Sequence, residues 1–245
     1  MLALRSLAFL VFQIVTVIPF AIASIVFLPL PLHVRYRITI GWPRLSIWAA
    51  RTICGIRWQV QGMDLLPDGP CILLSKHQSA WETCFFPSIM PRELCFVYKR
   101  ELHWVPFFGW GLALLRMVHI DRRDGHNAFE SVVAQGSQRI AEGRLIIMFP
   151  EGTRIPVGKR GRYKYGGSLL AVRLAVPVVP IAHNAGERWP RNSFIKNPGL
   201  ITVSIGAPIA STGKTGESLM KEVETWIENE MHRISPHVYA ESAAR

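Results

Sequence analysis

Cys71-Ile72-Leu73-Leu74-Ser75-Lys76-His77-Gln78-Ser79-Ala80-Trp81-Glu82 is the stretch whose reading decides the fold. Its first part, Cys71 to Ser75, is an uncharged apolar run too short for a helix, which predicts a buried strand. His77 and Glu82 follow, five positions apart. On one continuous helix, five steps of about 100° would leave their side chains about 140° apart, on different faces. They can meet only across a loop-to-helix junction. With His77 in the loop and Glu82 in the first helical turn, the carboxylate accepts from one ring nitrogen and leaves the other free to take a proton. That pair is half of a catalytic triad, with the nucleophile left to the substrate.

Outward from this stretch, short apolar runs alternate with amphipathic ones, the pattern of an α/β body. Leu94–Tyr98 and Leu145–Phe149 predict two more strands. Val176–Ala182 predicts a fourth, whose Pro177 and Pro180 call for an edge position or an irregular course. In the fifth, Ile201, Val203 and Ile205 alternate with Thr202 and Ser204, which predicts one exposed face. Helical spacing joins Ala128, Phe129, Val132, Val133 and Ile140, closed by Gly143, and a covering helix is expected over Glu217–Arg233. Ser235–Arg245 is polar and is expected to fray. The expectation is a mixed sheet flanked by helices over 57–245, preceded by an N-terminal membrane-docking helical segment over 1–56.

That segment is uncharged from Ser6 to Leu32. One helix of this length would reach about 40 Å, enough to span a bilayer. Pro19 divides the run into halves of about 20 Å each, too short to cross. A shallow hairpin keeps Arg5, Arg35 and Arg37 on one, cytoplasmic side, and is the favoured course; a kinked span and a signal peptide cleaved near Ala21-Ile22-Ala23 are the alternatives. Arg37, Arg44 and Arg51 recur every seven positions, a basic stripe for a helix lying on anionic headgroups.

Composition agrees. Hydrophobic residues make up 49% of 245, rich for a wholly water-soluble protein, while a mean hydropathy of +0.21 is too polar for a multi-span transporter. The net charge of +11 points to anionic partners. Nucleic-acid binding would interleave aromatics with lysines on one surface, whereas here the tryptophans accompany apolar runs. The four cysteines form no Cys-x-x-Cys pair, so neither zinc nor a disulfide framework is expected, and a reducing compartment is the simpler setting.

Two further clusters carry chemistry. After the third strand comes Phe149-Pro150-Glu151-Gly152-Thr153-Arg154. There Gly152 lets the backbone approach a ligand, Glu151 accepts from hydroxyls, and Thr153 and Arg154 donate to a phosphate. Ile120-Asp121-Arg122-Arg123 offers forked guanidinium donors, and Lys99 stands before an apolar cluster of Trp104, Pro106, Phe107 and Phe108 that would suit a charged headgroup with an acyl chain.

In this order, over about Pro70 to Ala182, these blocks resemble the glycerolipid acyltransferase family, most closely its bacterial members that act on lysophosphatidic acid. The resemblance implies His77 as general base and Glu82 as its orienter, Arg122 on the substrate phosphate, and Glu151 to Arg154 on the phosphoglycerol. It implies transfer of a fatty acyl group from a thioester, acyl-CoA or acyl carrier protein, to the sn-2 hydroxyl of lysophosphatidic acid, without metal or cofactor, at the cytoplasmic face of the inner membrane. Anionic membrane lipids and acyl carrier protein are the implied partners, with no nucleic acid. Glu82 departs from the aspartate more frequent in this family and is one methylene longer. Another lysolipid acceptor is the alternative within the family, and a non-catalytic basic membrane-surface or nucleic-acid-binding protein the alternative outside it. The oxyanion requires backbone donors, sought near the helix start after His77.

Overall fold

The computed structural model describes residues 1–105, 108–124 and 127–239, with the side chains of Phe108 and Arg122 outside the description. Three helices come first: α1 (Leu2–Val26), α2 (Leu32–Thr39) and α3 (Gly41–Thr52). The body follows as β1 (Ile56–Gln61), β2 (Ile72–Ser75), α4 (Trp81–Ile89), β3 (Leu94–Lys99), α5 (Phe108–Leu114), β4 (Val118–Ile120), α6 (Asn127–Ala141) and β5 (Leu145–Met148). It closes with α7 (Gly166–Leu174), β6 (Val178–His183), α8 (Ala185–Arg188), β7 (Gly199–Ile205), α9 (Gly216–Ile234) and α10 (Pro236–Tyr239).

The strands form one mixed sheet in the order β1-β7-β6-β2-β5-β3-β4, with every neighbouring pair parallel except β6 and β7. Alternation sorts the core. Ile72 and Leu74 of β2 face one layer with Val132 of α6, Leu170 of α7 and Val223 and Ile227 of α9. Cys71 and Leu73 face the other, with Ala49 and Ala50 of α3 and Trp81 and Phe85 of α4. Each such fully buried large side chain contributes about 1.5–3 kcal/mol, and Leu73, Leu74, Trp81 and Phe85 are all 0% exposed. This two-sided burial is why β2 reads as a continuous apolar run.

Four expectations change. β6 lies inside the sheet, between β2 and β7, despite its prolines. Pro177 precedes the strand and uses only its carbonyl, which accepts from the Ile72 N–H. The Pro180 carbonyl accepts from the Gly206 N–H, and the ladder to β7 begins only at Ile181, so the missing donor falls past the end of that pairing. β7 has no exposed alternate face: Thr202 and Ser204 are buried, with Thr202 accepting from the Gln59 amide and its N–H donating to Asn184. At the C-terminal end, residues 236–239 form α10, and Tyr239 is 3% exposed. Finally, α1 continues through Pro19 as one helix.

α1 then doubles back on α2 and α3. Ser24 Oγ meets Thr39 Oγ1, Trp42 Nε1 donates to Thr16 Oγ1, and Arg5 Nε donates to the Ile53 carbonyl, an antiparallel ladder of side chains. Its turn thus lies after Val26 rather than at Pro19, because one lost hydrogen bond is outweighed by contacts along the whole helix. Phe9 sets its ring edge-on to Trp189, and Ser6 accepts from the Lys196 N–H, so the start of α1 belongs to the body. The core therefore runs across the division expected at residue 56. α1 is long and apolar enough to cross a membrane, with a mean hydropathy of 2.4 and only 11% burial over its most apolar stretch. Arg37, Arg44 and Arg51 are all exposed beside it, as a membrane-associated surface requires.

Candidate active site

Parallel pairing brings the carboxyl ends of β2, β5, β3 and β4 to one edge of the sheet. His77 leaves the end of β2, and Glu82 is the second residue of α4. The junction turns sharply because Ser79 Oγ accepts from the Trp81 N–H, and Glu82 reaches back over that turn. Glu82 Oε1 accepts from the Gln78 N–H at 3.0 Å, from the Ser79 N–H at 2.8 Å and from His77 Nδ1 at 2.8 Å. This fixes the ring as the Nδ1–H tautomer and leaves Nε2 for a substrate. The imidazole stacks on Phe149 with centroids 4.1 Å apart, and Phe149 lies 6.4 Å from Phe96 of β3, an aromatic shelf leading from the ring toward β3.

Burial opposes ionisation of Glu82, but the His183 and His77 imidazoles and the Ser79 N–H outweigh it and hold the carboxyl below its ordinary value. The same burial pushes His183 down. Its Nε2 donates to the Lys76 carbonyl at 2.8 Å and its Nδ1 accepts from the Ala185 N–H, so His183 is matched as a neutral ring. The steady support for the Glu82 charge is therefore the pair of amides and His77. Since those amides serve Glu82, they are not the oxyanion donors sought at this helix start. Cys84, on the same helix, is pushed up to about 12 by burial, which keeps its thiol protonated and unreactive.

Behind the loop lies a network that sequence reading missed. Lys76 is 0% exposed, with Nζ 2.7 Å from Glu151 Oε1 and 2.8 Å from Glu228 Oε1. Tyr163 donates to the same Glu228 oxygen at 2.7 Å. The Glu151 carboxylate, expected to face substrate hydroxyls, turns inward instead, and its Oε2 accepts from the His77 N–H at 2.9 Å. A buried ammonium has to be matched by carboxylates, and that need outweighs exposure of Glu151. Burial nevertheless raises the Glu151 carboxyl above its ordinary value, against the pull of Lys76. A lysine in a turn ordinarily reads as solvated, and Glu228 is remote in sequence, so no local signal announced the pair.

The remaining expected residues divide. Gly152 has φ +66°, a conformation that favours glycine, and the Ile155 N–H behind it returns to the His77 carbonyl at 2.8 Å. Thr153 is exposed, and Arg154 is partly buried with its Nε unpaired. Lys99 is exposed at the end of β3, and Arg122 opens a short 3-10 turn after β4, its side chain outside the described residues. In strand order β3 and β4 lie farther along the edge from β2 than β5, which carries the Arg154 loop. Pro106 and Phe107 of the expected acyl-facing cluster lie outside the described residues, and Trp104 is 86% exposed. Among the described residues no cluster of three or more metal-ligating side chains occurs.

Comparison with known proteins gives a consistent answer. Residues 57–184 match the family described as Acyltransferase. The chain is 45% identical, over 84% of its length and 82% of the other's, to a 1-acyl-sn-glycerol-3-phosphate acyltransferase of Pseudomonas aeruginosa. It is 30% identical to the human alpha form of an enzyme of the same name, over 72% of this chain and 63% of that one. Its fold is similar to the crystal structure of the 1-acyl-sn-glycerophosphate (LPA) acyltransferase PlsC from Thermotoga maritima, with a TM-score of 0.78, 22% identity and 95% of each chain covered.

Proposed function

The chain belongs to the acyltransferase family, and from that premise we propose that it moves a fatty acyl group from a thioester to the sn-2 hydroxyl of lysophosphatidic acid, with His77 as general base. One observation carries the reading: a buried carboxylate holds His77 Nδ1 at 2.8 Å, which leaves Nε2 as the acceptor nitrogen of the ring. Nε2 takes the hydroxyl proton as the oxygen attacks the thioester carbonyl, and Glu82 stabilises the imidazolium that forms. The tetrahedral intermediate then expels the thiolate as the C–S bond breaks, and the imidazolium returns the proton to sulfur. Lysophosphatidic acid becomes phosphatidic acid, and no covalent acyl-enzyme is needed.

Arg154, nearest the base, holds the phosphate of the acceptor, with Lys99 and Arg122 forming the far end of the basic edge. Acyl-CoA and acyl carrier protein both present the required thioester. The exposed apolar face of α1 and the arginines beside it support attachment to anionic lipid, with the body on the cytoplasmic face, where acyl thioesters are made. Incubation of purified protein with a labelled acyl thioester and lysophosphatidic acid tests the reaction. Diacylated product is expected, and His77→Ala is expected to lower turnover by at least about 10²-fold while the protein stays folded. Near-normal turnover in that variant would overturn the assignment of His77.

A further inference from the structure

On the β6 side of His77 lies a cavity of about 640 Å³ lined by Gln78, Pro156, Val157, Gly186, Pro190 and Arg191, among others. Gln78 is the residue after the base and is 1% exposed, yet its Oε1 has no hydrogen-bond partner. The amide nitrogen of the same side chain reaches Tyr239 Oη at 3.4 Å, which turns the carbonyl the other way. Gly186 packs beside that oxygen, and a Cβ there would stand 3.1 Å from Oε1 and 2.7 Å from Val157 Cγ2, so a side chain would fill this corner of the cavity. A buried carbonyl without a donor costs about 1–3 kcal/mol, and it identifies a place where a ligand N–H belongs.

The rest of the lining narrows the ligand. Pro156, Val157 and Pro190 give apolar walls, and Arg191 stands exposed at the rim, where one guanidinium nitrogen donates to the Arg154 carbonyl. Glu187 also lines the cavity, but its carboxylate is engaged by Ser235, His237 and Arg188. Past Val157 the chain runs into exposed Lys159 and Arg162. An amide-accepting channel with greasy walls and a cationic mouth does not suit a bare acyl chain. It does suit a phosphopantetheine arm, which carries secondary amides, a gem-dimethyl group and a phosphate. The acceptor is assigned above to Arg154, with Lys99 and Arg122 beyond it, and the aromatic shelf leads the same way, toward β5 and β3. The thioester carbonyl and the hydroxyl that attacks it have to be brought beside the base from different sides.

We infer that this cavity docks the phosphopantetheine arm of the acyl donor, with Gln78 Oε1 accepting from an arm amide and Arg191 and Lys159 meeting the phosphate. The inference rests on the acyl-transfer reading above. Full-length protein in detergent is assayed with acyl-CoA, acyl carrier protein thioester and acyl-pantetheine, which lacks phosphate, against lysophosphatidic acid. Lys159→Glu is expected to raise the KM for the phosphate-bearing donors by about fivefold to tenfold, and to leave the KM for acyl-pantetheine and for lysophosphatidic acid within about twofold. Arg191→Glu, which also releases the Arg154 carbonyl, is expected to raise the same donor KM values and to leave that for acyl-pantetheine within about twofold. Gln78→Leu is expected to raise the KM for all three donors by about tenfold, as loss of one buried acceptor does. A response confined to one phosphate-bearing donor identifies the source of the arm. Should Gln78→Leu fail to fold, the two exposed rim positions still decide the matter. Unchanged donor KM in the rim variants, or an equal rise for the acceptor in Lys159→Glu, would overturn the dock while leaving acyl transfer standing. Wild-type protein inactive with every thioester would remove both.

Discussion

Replacing Glu82 by Gln tests what the carboxylate contributes beyond shape. Glutamine keeps an oxygen where Oε1 accepts from the Gln78 and Ser79 amides and from His77 Nδ1, at 3.0, 2.8 and 2.8 Å, so the turn and the ring tautomer are retained. What is lost is the charge. In the proposed mechanism His77 gains its charge only as the proton moves, so the charge interaction belongs to the transition state alone. With charge centres about 4 Å apart and an effective dielectric of about 20, that interaction is worth about 4 kcal/mol. At about 1.4 kcal/mol per tenfold, kcat should fall by about 10³. Both KM values should stay within about threefold, and the melting temperature within a few degrees, because the hydrogen-bond pattern survives. Initial rates with labelled acyl thioester, beside a thermal melt of the same sample, give the answer. A loss of less than tenfold in a folded variant would show that Glu82 holds the loop and does not act on the charge at His77.

Glu82→Asp withdraws the carboxylate by about one C–C bond, 1.5 Å, which stretches contacts of 2.8 Å past hydrogen-bond range; a fall in kcat between tenfold and a hundredfold is expected, and full activity would mean that α4 shifts to follow. Lys76→Met leaves Glu151 and Glu228 as facing buried carboxylates without their cation; about 3 kcal/mol of stability should go, near 10 °C in melting temperature, with partial recovery in Lys76→Met combined with Glu228→Gln. No recovery in the double variant would refute the charge argument. His183 sets the pH dependence: its folded pKa lies below the ordinary 6.5, so below that pH the unfolded chain binds a proton that the folded chain refuses, and stability falls by up to about 1.4 kcal/mol per pH unit toward the folded value. Melts of wild type and His183→Asn between pH 5.5 and 7.5 should differ by this slope, with Glu151, whose raised pKa works in the opposite sense, cancelling in the difference. Parallel pH curves would remove His183 from the account.

Local pattern was enough for β2, β3 and β5, because strands covered on both faces are written as uninterrupted apolar runs. It was enough for α9, whose buried face is Leu219, Val223 and Ile227 and whose start is a reciprocal Thr215–Ser218 cap. It failed where a partner from elsewhere in the chain changed the meaning of a residue. Thr202 and Ser204 look exposed until Gln59 and Asn184 cover the strand and Glu230 reaches Ser204. Pro180 looks like an edge residue until the β7 ladder is seen to begin one residue later. β4 is only Val118–Ile120, too short to leave a period.

The contact between His77 and Glu82 was legible from its spacing, since helical geometry forbids the two from meeting anywhere but at a strand-to-helix turn, and a single sequence window contains everything that turn requires. Why Glu151 faces inward, and where Gln78 lacks a partner, depend on Lys76, Glu228, Gly186 and Tyr239 arriving from distant segments. Covalent spacing constrains neighbours along the chain, whereas the pairing of buried charges and the shape of a cavity are settled only when the sheet order brings remote strands together.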